Sequence, residues 1–195
     1  MPKVLAAVVF AAVPLAATAA PENYTLDPLH SSVLFAIDHL GLSTVHGRFD
    51  KFAGKFAIDR TAKKGEVELT IDTASVDTND NDKGSRQRSR DEHLRSADFF
   101  NAAEFPKMTY KSTNVVFTGD NPTTVEGNLT LLGVTKPVSL MLERFKCNAA
   151  TATAKERCGG DGTAKVKRSD FGMSRGIPQI GDELQLTISF EANKD

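Results

Sequence analysis

Apolar residues along this chain recur mostly at every second position, the period of strands that bury one face. Val33, Phe35 and Ile37 share a parity, with His39 next on it; Phe52, Phe56 and Ile58 share another, and Val67, Leu69 and Ile71 follow. Further runs are Val125, Leu129 and Leu131, then Val138, Leu140 and Leu142, then Ala164 and Val166. Leu184, Leu186, Ile188 and Phe190 form the cleanest alternation, and the stretch from Met108 to Phe117 completes eight expected strands. Turn-forming groups separate them: Lys63-Lys64-Gly65, Gly119-Asp120-Asn121-Pro122, Leu132-Gly133-Val134-Thr135-Lys136-Pro137 and Gly181-Asp182. Short connections favour antiparallel neighbours, and eight such strands close naturally into a barrel, with an open sandwich as the nearest alternative.

One connection is long. Between Val76 and Met108 the chain carries Asp80, Asp82, Lys83, Arg86, Arg88, Arg90, Asp91 and Glu92 with Gly84 among them, the composition of a solvated loop of mixed charge. A calcium loop beginning at Asp77 fails at its sixth position, Asp82 in place of Gly, and at its twelfth, Arg88 in place of Glu. Residues 90–100 are expected to form a short helix with Leu94, Ala97 and Phe99 or Phe100 facing inward.

Composition narrows the class. Lys and Arg number 24 against 25 Asp and Glu, so there is no basic excess for neutralising nucleic-acid phosphates. Sixteen of the first 20 residues are apolar; Lys3, the run Val4 to Leu15, and Ala17-Thr18-Ala19 or Thr18-Ala19-Ala20 have the order of a cleaved secretory signal. The expected organisation is a leader over residues 1–20 and one domain over 21–195, exported across the inner membrane to the periplasm. The run is too short for a transmembrane anchor. Cys147 and Cys158, with ten residues between them, suit a disulfide in an oxidising compartment better than a metal site, since no CxxC or nearby His accompanies them.

Candidate chemistry is sparse. His30, His39, His46 and His93 show no HExxH or facial-triad spacing, and no GxSxG, P-loop or GxGxxG is present. No catalytic residue, metal or cofactor is therefore expected. A barrel of eight strands encloses just enough space for side chains or one small ligand. Its expected lumen face comprises Val33, Phe35, Ile37, His39, Phe52, Phe56, Ile58, Val67, Leu69, Ile71, Leu129, Leu131, Leu140, Leu142, Val166, Leu186, Ile188 and Phe190. Ala164, Gly127 and Gly54 are expected to leave room inside, and His39 to stand as a polar group at the lumen's end. An ordinary filled core remains the alternative.

Specific segments add to the periodicity. They are Tyr24-Thr25-Leu26-Asp27 with His30-Ser31, Asp38-His39-Leu40-Gly41, Ala74-Ser75-Val76-Asp77-Thr78-Asn79, the run Arg90 to Phe100, and the run Asn128 to Val138. In this order the chain resembles the YceI-like family of exported, lipocalin-like lipid-binding proteins over essentially all of residues 21–195. The resemblance implies an all-β, eight-stranded antiparallel barrel holding a polyprenyl, quinone-like or similar isoprenoid lipid, with polar residues near the mouth meeting its headgroup. It also leaves open a homodimer, an enzyme or stress factor acting on such a lipid, and a membrane cytochrome partner. Asp80 to Ser89 departs from the family pattern as an insertion, expected as a surface extension or a mobile mouth loop.

Overall fold

The computed structural model describes residues 20–195. The strands are β1 (Glu22–Leu26), β2 (Ser32–His39), β3 (Ser43–Phe49), β4 (Phe52–Asp59), β5 (Lys64–Asp72), β6 (Val76–Asp77), β7 (Lys107–Thr118), β8 (Asn121–Leu131), β9 (Val134–Asn148), β10 (Arg157–Lys167) and β11 (Ile180–Lys194). A short helix, α1 (Arg90–Arg95), lies between β6 and β7. The expected leader falls outside the described residues, apart from Ala20.

These strands make eight walls. A 3-10 turn at Pro28–His30 splits the first wall into β1 and β2, and the long β11 pairs with β2 through Leu184 to Ser189 and with β1 through Ala192 to Lys194. The second wall is β3 followed by β4, the former on β2 and the latter on β1. From β4 the ladder runs antiparallel through β5, β7, β8, β9 and β10 to β11, closing the ring. Among the described residues closure leaves no long unpaired edge. The eight expected strands fall on β2, β4, β5 and β7 to β11, one per wall.

β1, β3 and β6 were not anticipated by periodicity. β3 offers only Val45 and Phe49 as large apolar residues, with Gly47 between them. Gly47 sits opposite Phe35, whose ring occupies the space a side chain there would need. Gly127 likewise leaves no void, because the Tyr110 ring lies where its Cβ would project, 2.5 Å from Cζ.

The connection from β6 to β7 caps one end of the barrel. Ser89 Oγ accepts from the Glu92 N–H at 3.1 Å while Glu92 Oε2 accepts from the Ser89 N–H at 2.9 Å, a reciprocal cap that starts α1. The helix stops at Arg95, shorter than expected, and Ala97 is exposed instead of inward-facing. Phe99 and Phe100 are buried beyond it. Arg95 fastens the helix by donating to the carbonyls of Ala74 and Val76, both at 2.8 Å.

The opposite end is tied by charge and a covalent bond. Cys147 and Cys158 are register partners on β9 and β10 and are joined by a disulfide. Glu156, in the preceding loop, accepts from Arg60 at 2.7 Å, from the Tyr24 hydroxyl at 2.8 Å and from Lys194 at 3.1 Å. Arg60, then Tyr24, hold the Glu156 carboxyl down at about 2, while burial and Glu156 push the Tyr24 hydroxyl up. A depressed carboxyl stabilises the fold fully above its ordinary value of 4.5, and that contribution is lost as pH falls towards 2. Glu156→Gln is expected to cost about 2 kcal/mol at neutral pH and to flatten this part of the acid limb. Denaturant midpoints measured across the range test it; parallel acid limbs in the two proteins would refute the assignment.

Candidate ligand-binding site

Two cavities among the described residues bear on function. The first, of about 150 Å³, occupies the middle and the disulfide end. β4 contributes Phe52, Phe56 and Ile58, β5 Val67, Leu69 and Ile71, β9 Val138, Leu140, Leu142 and Phe145, and β11 Leu186, Ile188 and Phe190. Val33, Phe49, Met108, Tyr110, Val115, Val125, Leu129 and Ala164 complete most of the surface. Phe56 closes the lower end, stacked on Tyr24 at 4.7 Å and edge-on to Phe145 and Phe190 at 6.2 and 6.0 Å.

Tyr110 brings a hydroxyl into this apolar space. It donates to the carbonyls of Val125 and Val138 at 2.9 and 3.1 Å, and burial pushes it up to about 12. Its proton is thus held by the backbone and does not titrate near neutrality. Lys55 and Glu68 also border the cavity, but they pair at 3.3 Å with side chains 70% and 44% exposed, on the outer side. The inner surface favours apolar contact over proton transfer.

The second cavity, of about 600 Å³, lies under α1 and the 80–89 segment. Phe35, Ile37, Phe99, Phe100, Met173, Ile180 and Leu184 give it apolar walls, and Arg86, Arg88 and Arg90, with Asp80, His39 and His93, give it a polar, arginine-rich rim. The two cavities share no lining residue. Between them stand three buried rings: Phe49 lies 5.8 Å from Phe35 and 5.4 Å, edge-on, from Phe100.

The rim is internally paired. Arg86 forks onto Asp80 at 2.8 and 2.6 Å, Arg90 reaches the same carboxylate at 3.2 Å, and Arg86 holds the Asp80 carboxyl down at about 2. Asp98 accepts from Arg88 at 2.7 Å and lies 2.7 Å from His93 Nε2; His93 first, then Arg88, lowers its carboxyl. The insertion therefore forms cavity wall as well as surface. The histidines do not converge: His30 sits beside Asp27 at 2.9 Å, and His46 is exposed on β3. Cys147, Cys158 and Glu156 have ligand-type atoms within 4.8 Å, but the S–S bond consumes both thiols.

Of the residues expected to line the lumen, Val33, Phe52, Phe56, Ile58, Val67, Leu69, Ile71, Leu129, Leu140, Leu142, Leu186, Ile188 and Phe190 border the first cavity. Phe35, Ile37 and His39 border the second. Leu131 and Val166 border neither and pack into the core with Phe171 and Met173. Val115 and Phe145 escaped the period-two reading because β-bulges reverse the parity ahead of them, at Ser112/Asn114 and opposite Asp161/Gly162. The rim arginines escaped it because a charge-rich insertion carries no periodic signal.

A closed antiparallel barrel with an apolar interior and a polar mouth has the form of barrels that hold one small ligand. The chain belongs to the YceI-like domain family, whose model matches residues 24–192. It is 38% identical to Protein YceI of Salmonella arizonae over 176 residues, covering 90% of this chain and 87% of that one. Among solved structures it resembles Burkholderia cenocepacia BcnA, with a TM-score of 0.68 and 26% identity over 86% of this chain and 99% of that chain. It also shares its fold with a polyisoprenoid binding domain from Saccharophagus degradans, with a TM-score of 0.64 and 20% identity over 88% and 98% of the two chains.

Proposed function

We propose that this protein binds and carries a long-chain isoprenoid-type lipid, a polyprenyl or quinone-like molecule, in the periplasm. The observation that carries this reading is the first cavity: its inner surface is almost wholly apolar, and the Tyr110 hydroxyl within it is already engaged by backbone carbonyls. An alkyl chain entering such a space contributes about 0.8 kcal/mol per buried CH2 before its ordering is counted. With the tail in the lumen and the polar end among His39 and the rim arginines, the chain crosses the layer of Phe35, Phe49 and Phe100, whose rings turn aside to admit it. The name of the Saccharophagus degradans domain supports an isoprenoid over a straight acyl chain. The disulfide supports an oxidising compartment.

Native purification, organic extraction and mass spectrometry of the extract test the proposal. A long isoprenoid-type chain recovered in near-stoichiometric amount is the expected result. No such lipid in the extract, together with no saturable binding of an added polyprenol or quinone, would sink it.

A further inference from the structure

The β2–β3 hairpin ends in two exposed leucines, Leu40 at 51% and Leu42 at 83%. Leu40 and Gly41 have φ of 63° and 67°, and the Leu42 N–H closes the turn on the His39 carbonyl at 3.1 Å. The first left-handed position of such a turn favours Asn, Asp or Gly. Leucine is therefore strained there, and with half its surface exposed it returns little packing in compensation. The tip is nevertheless held in place: Asp38 accepts from the Gly41 N–H at 2.9 Å, and the Leu40 N–H donates to the Gln179 carbonyl at 2.7 Å. An unpacked apolar side chain on an anchored, strained tip points to a partner outside the chain.

The position of the tip says which partner. Its stem residues His39 and Ser43 line the second cavity, as do Arg86, Arg88 and Arg90, whose side chains are 54%, 41% and 42% exposed. Arg175, 61% exposed, shares Asp98 with Arg88. Two projecting leucines beside guanidinium groups that stay half-exposed while four of them share the two carboxylates of Asp80 and Asp98 match the acyl boundary and the phosphates of a bilayer surface.

We propose that this end of the barrel docks onto an anionic lipid bilayer, with Leu40 and Leu42 entering the interface and the arginines meeting headgroup phosphates. The mouth of the larger cavity then faces the membrane. This goes beyond lipid carriage, since docking needs no resident ligand.

Flotation with vesicles of phosphatidylglycerol and phosphatidylcholine, against phosphatidylcholine alone, provides the test. The wild type is expected to partition onto the anionic vesicles and to release as salt rises. Asn suits the left-handed backbone at position 40 and Leu42 is 83% exposed, so the Leu40→Asn/Leu42→Asn variant should keep its Tm while losing about tenfold in partitioning. Arg86→Gln/Arg88→Gln should lose roughly fivefold per arginine and much of the salt dependence. No binding of the wild type to the anionic vesicles, or equal binding by the leucine variant, overturns the proposal. So does a dimer in sedimentation velocity that the leucine variant dissolves, since the tip would then belong to a second copy. Extraction and mass spectrometry report on lipid carriage separately, so the two readings fail independently.

Discussion

Phe49→Ala is expected to lower the unfolding free energy by about 3–5 kcal/mol and to lengthen the hydrocarbon chain that the barrel retains. Phe49 is 3% exposed and ends β3, paired with Val33 on one side and Val76 on the other. Its ring meets Phe35 and Phe100, so truncation removes the middle of a three-ring wall. The first cavity alone, at about 150 Å³, is comparable to an engineered apolar cavity that takes one benzene. A longer chain needs the space beyond the rings, where about 600 Å³ is available. In the variant the two spaces merge without any ring having to move. Urea denaturation reads the stability, and mass spectrometry of extracts reads the chain-length distribution. A loss below about 1 kcal/mol, or an unchanged distribution, would contradict the partition.

Arg168→Met should lower stability by about 4 kcal/mol, or Tm by roughly 10 °C. Arg168 is 1% exposed and donates to four main-chain carbonyls: Gly181 at 2.8 Å, Met173 at 3.0 Å, Arg175 at 2.8 Å and Ile180 at 2.9 Å. Burial pulls its guanidinium below the usual value and Asp182 opposes this, yet an arginine remains a cation throughout the physiological range. Methionine matches the length of the stem but leaves four acceptors without their donors. Met173 and Ile180 line the second cavity, so the cavity wall loosens with the loop. Calorimetry and limited proteolysis between residues 173 and 181 check both effects. A Tm within about 2 °C of the wild type would show that the carbonyls find other partners.

Much of the barrel was readable because one-sided burial leaves a period of two in every long strand. The cleanest alternation, Leu184 to Phe190, lies on β11, which pairs with both halves of the first wall. Where a wall bends, its shorter half carries too little pattern: β1 buries Tyr24 alone, and β6 has two residues. Parity also overstated the available space at Gly127, because the ring that fills it comes from the neighbouring strand. Ala97 was misplaced because the helix ended at Arg95 and its period no longer applied.

The chain's own alternation and turn residues decide that it forms an antiparallel barrel with an apolar inside, since each strand must bury one face and short turns can only join neighbours. Alternation assigns a residue to a face but not to a depth along the barrel, nor to a void or a packed layer. Those were decided by tertiary contact. Ring closure brings Phe49 against Phe35 and Phe100 to divide the lumen, and two bulges turn Val115 and Phe145 inward. The fold also sets the arginines of a charge-rich insertion around a mouth, because Asp80 and Asp98 are there to receive them.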